Sequence, residues 1–261
     1  MLILVLFALP GLHAETLTFG VVPQQAARTL AKNWTPLLNE VSKRSGVDIR
    51  FSTAKDIPTF EKRVKDGLYD FAYMNPYHYV VYSKEPGYIA MLKQRDKRIR
   101  GIVVVRKDSP LVGLEELKSK RLAFPAPAAF AASILPRGAM AKMKLDIEPV
   151  YVSSHDSVYR NVAKGIFEAG GGVKRTFRAV APEVRSELRV LWTTDPYTPH
   201  AIAHHPKVDQ EKVSKILKAF LTLEQDETGK KALAGITFKG IEAAKDENWD
   251  DVRTLAIDLL K

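Results

Sequence analysis

The sequence predicts an α/β protein of two lobes joined by a two-strand hinge. Three observations carry that reading. Strand-like apolar runs alternate with helix-length amphipathic segments from Thr16 onward, the pattern of a mostly parallel sheet covered by helices. The alternation restarts near Gly113, which divides it into two units. Two apolar strand-like runs, Gly101 to Arg106 and Leu188 to Thr194, stand where the units meet and read as the crossings between them.

The elements follow in order. Thr16 to Val22 alternates and then runs apolar, as a strand does, and Pro23 and Gln24 turn the chain. Ala26 to Ser45 is a helix with Ala27, Leu30, Trp34, Leu37, Leu38 and Val41 on one face, ended by Gly46. A strand over 47–53, a helix over 56–67 and a strand over 69–75 come next, and Pro76 suits the first turn of another helix. Strands over 88–94 and 100–106 close the first unit. The second unit has a short helix and strand over 113–125, then a helix from Ala128 to Lys142. A strand (147–154), a helix closed by Gly165, a strand (166–173), a short helix (174–184) and a strand (188–194) complete it. "PHAIAHHP" reads as a strand because prolines flank a short apolar run. The remainder is helical over Asp209 to Leu223, Thr228 to Leu233 and Asn248 to Leu260. The expected division is therefore 15–105 for the first lobe, 106–192 for the second, and 193–261 for the return.

Residues 1–14 read differently. Leu2 to Leu9 are apolar, Pro10-Gly11 break the run, and it ends Leu-His-Ala. This matches the apolar region and cleavage site of a secretory signal cut after Ala14, too short to span a membrane. The alternative is a buried first strand. The strand-like "ETLTFGVVP" that follows directly favours the signal, and with it a periplasmic location.

Charge narrows the partners. The chain has 40 Lys and Arg against 30 Asp and Glu, a net +10, and none of it falls in the first fourteen residues. Such a field draws anions. Export argues against nucleic acid. The densest basic run, Lys93 to Arg100, has no interleaved aromatic residues and reads as a solvated turn. The absence of cysteine removes disulfides and thiol chemistry.

Ligand sites in open α/β sheets lie at the carboxyl ends of strands, where helix N-termini present free N–H groups. Such junctions place Gln24, Asn75, Tyr77, Ala129, Phe130, Ala131, His155 and Arg175 as candidates. At one of them Pro125 and Pro127 would leave the N–H groups of Ala128 to Ala131 open to an anion, while Phe130 either touches ligand or fills the core. Ser153 to Ser157, "SSHDS", is no catalytic triad, because adjacent residues cannot aim at one point. Ser154 or Asp156 would cap a helix there, with His155 in the cleft or on the surface. On a strand, His200 and His204 would stand about 13 Å apart, too far to share an ion. "EAGGGVK" is not a phosphate loop. No nucleophile-base pair, metal site or cofactor motif stands out.

Several segments in this order, "LTFGVVPQQ", "GLYDFAYMNPYHYV", "VVVRKDSPLVGLEELKSKRLAF", "SHDSVYRNVAKGIFEAG" and "LRVLWTT", give the chain its likeness. It resembles the phosphate/phosphite/phosphonate-type periplasmic substrate-binding proteins of ABC importers along the length after residue 14. The resemblance implies a type II periplasmic-binding fold that closes on a small anionic ligand and docks, as a monomer, on a membrane permease. It implies no cofactor and no catalysis. The family's cleft histidine falls on His155. Its Ser-Thr-Ser cradle falls on Ala129, Phe130 and Ala131. Its closing tyrosines fall near Ile57 and near Ile99-Arg100. Its acidic residues fall near Arg175-Thr176 and near Pro199-His200, which adds Thr176 and His200 to the candidates. A component that presents ligand to a membrane sensor kinase, and a periplasmic enzyme in the same cleft, are the alternatives.

Overall fold

The computed structural model describes residues 16–257 and 259–260, so the signal expected over 1–14 lies outside the described residues. The first lobe opens with β1 (Leu17–Val21), α1 (Ala27–Ser45), β2 (Ile49–Ser52), α2 (Ile57–Lys65), β3 (Phe71–Met74), α3 (Pro76–Tyr82) and β4 (Ile89–Gln94). The second holds β5 (Gly101–Arg106), β6 (Arg121–Phe124), α4 (Leu135–Lys142), β7 (Glu148–Tyr151), α5 (His155–Ala163), β8 (Ala169–Val173), α6 (Lys174–Ala179), α7 (Pro182–Ser186) and β9 (Leu188–Thr193). The chain then returns through β10 (Ala201–His204), α8 (Gln210–Leu221), α9 (Glu227–Gly235), β11 (Ile241–Ala243) and α10 (Asp250–Arg253).

Local chemistry sets these limits. The stripe of Leu30, Trp34, Leu37, Leu38 and Val41 on α1 is buried, while Ala27, in its first turn, stays exposed, and Gly46 ends the helix in the left-handed conformation at φ 67°. Asp56 caps α2 by accepting from the Thr59 N–H at 2.8 Å, and Asn75 caps α3 by accepting from the His78 N–H at 2.8 Å.

The first sheet runs β11-β4-β10-β3-β1-β2 and the second β7-β6-β8-β5-β9. Strands β1, β2 and β3 are mutually parallel, as are β7, β6 and β8. The strands next to the crossings enter reversed: β10 lies antiparallel between β3 and β4, and β5 lies antiparallel between β8 and β9. The sheets are therefore mixed, where the alternation alone suggested parallel ones.

The crossings differ from the expectation. Strands β5 and β9 pair with each other inside the second sheet. Ile102 to Val105 are apolar because both faces of that sheet are covered, and not because they bridge lobes. The chain crosses instead at 95–100 and 194–200. A two-bond bridge ties these segments, with the Ile99 N–H on the Tyr197 carbonyl at 2.7 Å and the reverse bond at 2.9 Å.

Two expected helices are also cut short. The segment from Ala128 to Lys142 opens with a π turn over Phe130–Ile134 before α4. A Cβ at Gly101 would stand 1.9 Å from the Ala131 carbonyl oxygen, and one at Gly171 1.9 Å from that of Ala132. Those glycines let the π turn lie directly on the sheet. The last expected helix, Asn248 to Leu260, is helical only through a 3-10 turn and α10, to Arg253. Beyond it, the N–H groups of Leu259 and Leu260 donate to the Tyr77 hydroxyl at 2.7 and 3.0 Å.

The core of the first lobe does not stop at the lobe boundary. It continues through Ala126, Ala128 to Ala132, Leu135 and Val173 of the second. Two smaller apolar clusters cover the faces of the second sheet.

Candidate functional site

Most of the expected site residues do converge. Gln24 and Asn75 from the first lobe, Ala129, Phe130, Ala131 and His155 from the second, and His200 from the return crossing all line one cavity between the lobes. That cavity holds only about 10 Å³. A space of that size is at the limit for a single water. Methyl groups and the Phe130 ring occupy the positions where the resemblance places a hydroxyl cradle.

The loop itself is used internally. The Ala129 N–H bonds to the Ala126 carbonyl at 3.2 Å, which withdraws one of the four donors expected to face an anion. Phe130 is 1% exposed and meets the ring of Tyr197, in the return crossing, edge-on at 5.6 Å. The small residues thus serve a close approach by the protein's own sheet and hinge.

Polar contacts hold the lobes together around this point. Arg175 donates to the Gln24 side-chain oxygen. The Asn75 amide donates to the Ala128 carbonyl at 3.1 Å. Ser154 caps α5, accepting from the Ser157 N–H at 3.1 Å, and the neighbouring Asp156 lies near the Ala26 backbone N–H, which lowers its pKa against burial. Burial pushes the Asp156 carboxyl above its ordinary range.

His155 is 1% exposed. Burial, and secondarily the Arg175 charge, lower its pKa to about 3, so the ring is neutral near pH 7. Its Nδ1 stands 3.2 Å from the Thr176 hydroxyl, which in turn meets the Tyr159 hydroxyl at 2.7 Å. Thr176 thereby orients the histidine from behind and lines none of these cavities. Tyr77 is not brought here at all; its hydroxyl is taken by the C-terminal segment.

A second cavity, about 160 Å³, opens at the mouth of the cleft. His200, shared with the smaller cavity, marks its inner end, and Arg175 lines it beside His200 over the Tyr73 ring. The Arg175 guanidinium lies over the Tyr73 ring at 6.0 Å, and His200 stacks on the same ring at 4.9 Å with 17° between planes. Burial, and then Arg175, hold the His200 imidazole well below its ordinary pKa, and its Nε2 has no hydrogen-bond partner. Lys97, Arg98, Arg100 and Lys174 supply further cationic wall, and among the described residues no carboxylate lines the cavity. An open channel of about 780 Å³ adjoins it, sharing Lys97, Lys174 and Arg175 and adding Arg95, Arg178 and Lys239.

Sequence reasoning reached Arg175 and His200 but missed the rest of this mouth. The run from Lys93 to Arg100 does contain an exposed turn, yet that turn is the outward crossing and forms a wall of the cavity. Its charge density was the available signal. Tyr73 carried none, since it reads as one more strand aromatic.

The comparisons with known proteins agree with this architecture. A family model described as "ABC transporter, phosphonate, periplasmic substrate-binding protein" matches residues 19–249. The chain is 22% identical over 228 residues to the phosphate-import protein PhnD of Mycolicibacterium smegmatis, which covers 79% of this chain and 71% of that protein. A binding protein component of an ABC phosphonate transporter from Pseudomonas aeruginosa superposes with a TM-score of 0.86 at 17% identity, over 92% of this chain and 85% of that one. PhnD1 from Prochlorococcus marinus, in complex with methylphosphonate, gives 0.84 at 18% identity, over 94% and 98%. Two α/β lobes with paired crossings, and a match that spans nearly all of the described residues, make this chain a member of the phosphonate periplasmic substrate-binding protein family of ABC transporters.

Proposed function

We propose that this protein is an exported, monomeric, non-enzymatic solute-binding protein. It holds a small oxyanion between its lobes and delivers it to the permease of an ABC importer. The observation that carries this reading is the cavity at the mouth of the cleft. Its wall is cationic, it contains no carboxylate among the described residues, and it is built from both lobes and both crossings. Positive groups converging in a partly dry site suit charge-assisted hydrogen bonds to an anion. Family membership supports the transport role. Export after Ala14, as the apolar run over 1–14 suggests, completes the reading.

The ligand-binding residues in this reading are Arg175, His200, Lys97 and Tyr73, with Gln24 and Asn75 joining the lobes behind them. His155, held by Thr176, and the 129–131 turn lie behind them around the smaller cavity. Calorimetry with phosphate, phosphite, methylphosphonate and 2-aminoethylphosphonate tests it. The first three should bind. The aminoethyl compound brings an ammonium to a cationic wall, and one such unfavourable contact of about 1.4 kcal/mol weakens it about tenfold. Failure of all four to bind the folded protein would reject the oxyanion reading. Tightest binding by 2-aminoethylphosphonate would reject the assignment of this wall to the ligand.

A further inference from the structure

We infer that the ligand carries two separated anionic groups, one seated beside Arg175 and His200 in the inner cavity and the other in the basic channel outside it. This rests on the oxyanion reading and specifies its substrate class.

The first observation is where the ligand cannot go. The cavity beside Ala129 to Ala131 is about 10 Å³, so an anion must sit further out than a deep cradle would hold it. The second is continuity. The inner cavity and the channel share Lys97, Lys174 and Arg175 as common wall, so one molecule can occupy both. The inner part, about 160 Å³, takes a single small group, while the channel, about 780 Å³, takes an extension.

The third observation is unbalanced charge. Arg95 is ion-paired with Glu224 and Arg98 with Asp251. Lys97, Lys174, Arg178 and Lys239 have no ion pair among the described residues. Asp96 is the one acid among the described residues that line the channel. The Lys97 ammonium is held below its ordinary pKa by burial and then by Arg178, Arg175, Lys174 and Lys239, which locates all five cations in one field. A single oxyanion beside Arg175 leaves most of that field unanswered. A second anionic group answers it.

The fourth is a polar atom awaiting a partner. His200 is 5% exposed, and its Nε2 is unpartnered at the inner end, where the first anionic group would lie.

Calorimetry on the chain beginning after Ala14 tests the inference, with pyrophosphate as the two-group probe against phosphate and methylphosphonate at one ionic strength. Pyrophosphate should bind at least about tenfold more tightly than methylphosphonate. The exposed pair Arg178→Gln and Lys239→Gln, which line the channel and not the inner cavity, made together, should cost pyrophosphate about tenfold and methylphosphonate less than about threefold. Methylphosphonate binding as tightly as pyrophosphate would overturn the two-group ligand and leave the oxyanion reading standing. An unaltered pyrophosphate affinity in the double variant would overturn the channel as its seat. Silence from every anion, with an intact melting transition, would overturn both readings together.

Discussion

Replacing Phe130 by alanine separates a structural ring from a ligand contact. Phe130 is 1% exposed, in the core that runs from one lobe into the other, with its edge toward Tyr197. Truncating a buried phenylalanine costs about 3–5 kcal/mol. In a chain of this length each kcal/mol moves the melting temperature by about 2–4 °C. The ligand-free variant should therefore melt about 6–20 °C lower by scanning calorimetry. Because the lost contacts lie between lobe and crossing, small-angle scattering should also show a larger radius of gyration before any ligand is added. Phe130→Leu should recover most of both losses. A variant that melts within about 2 °C of the parent, keeps its radius and yet binds methylphosphonate poorly would refute the reasoning and make the ring a ligand contact.

Three further outcomes are expected. Gly171→Ala places a Cβ 1.9 Å from a backbone oxygen that cannot swing aside, and should cost about 1–3 kcal/mol or more in urea denaturation, whereas Gly138→Ala, in α4 with nothing within 4 Å, should gain up to about 1 kcal/mol; equal effects would contradict the packing described. His155 takes its proton near pH 3 folded and near 6.5 unfolded, so its stabilisation is complete above 6.5 and declines as pH falls toward 3. At about pH 4.5 the loss is on the order of 3 kcal/mol, and His155→Gln should flatten that part of the stability-pH curve; an identical slope would show that the ring titrates normally. Arg175→Gln removes both the bond to Gln24 and the innermost cation, and should weaken methylphosphonate binding about 10- to 150-fold by calorimetry, with unchanged affinity placing the anion elsewhere.

Much of the fold was legible because local periodicity reports local burial. The stripe on α1 and the alternation of β1 are properties of a few consecutive residues, and the proline-flanked run at β10 marks its own ends. The misreadings have distant causes. Nothing near Ala131 and Ala132 announces that Gly101 and Gly171 will receive their carbonyls, so an alanine-rich stretch reads as plain α-helix. Nothing near Leu259 announces the Tyr77 hydroxyl. Strand β5 is apolar whichever sheet it joins, so its composition could not say where the chain crosses. The site divides the same way. The junction residues were found because strand ends are recognisable, but their cavity is filled by side chains of their own loop. Lys97 and Lys174 are far apart in sequence, and each alone looks like an ordinary solvated lysine.

The apolar core that passes through Ala128 to Ala132 into Val173 bears on how a transporter could tell a loaded protein from an empty one. Parting the lobes would wet that core, at about 25 cal/mol for each Å² of apolar surface exposed. A resting protein that kept it dry would keep its lobes together, and posture would then carry little news of cargo. The mouth would change. In the reading proposed above, an empty mouth would show a permease a rim of cations, and a filled one would show them neutralised. On that footing the message at the membrane is electrostatic sign, written at the rim by Lys97, Lys174 and Arg178 and erased by the solute itself.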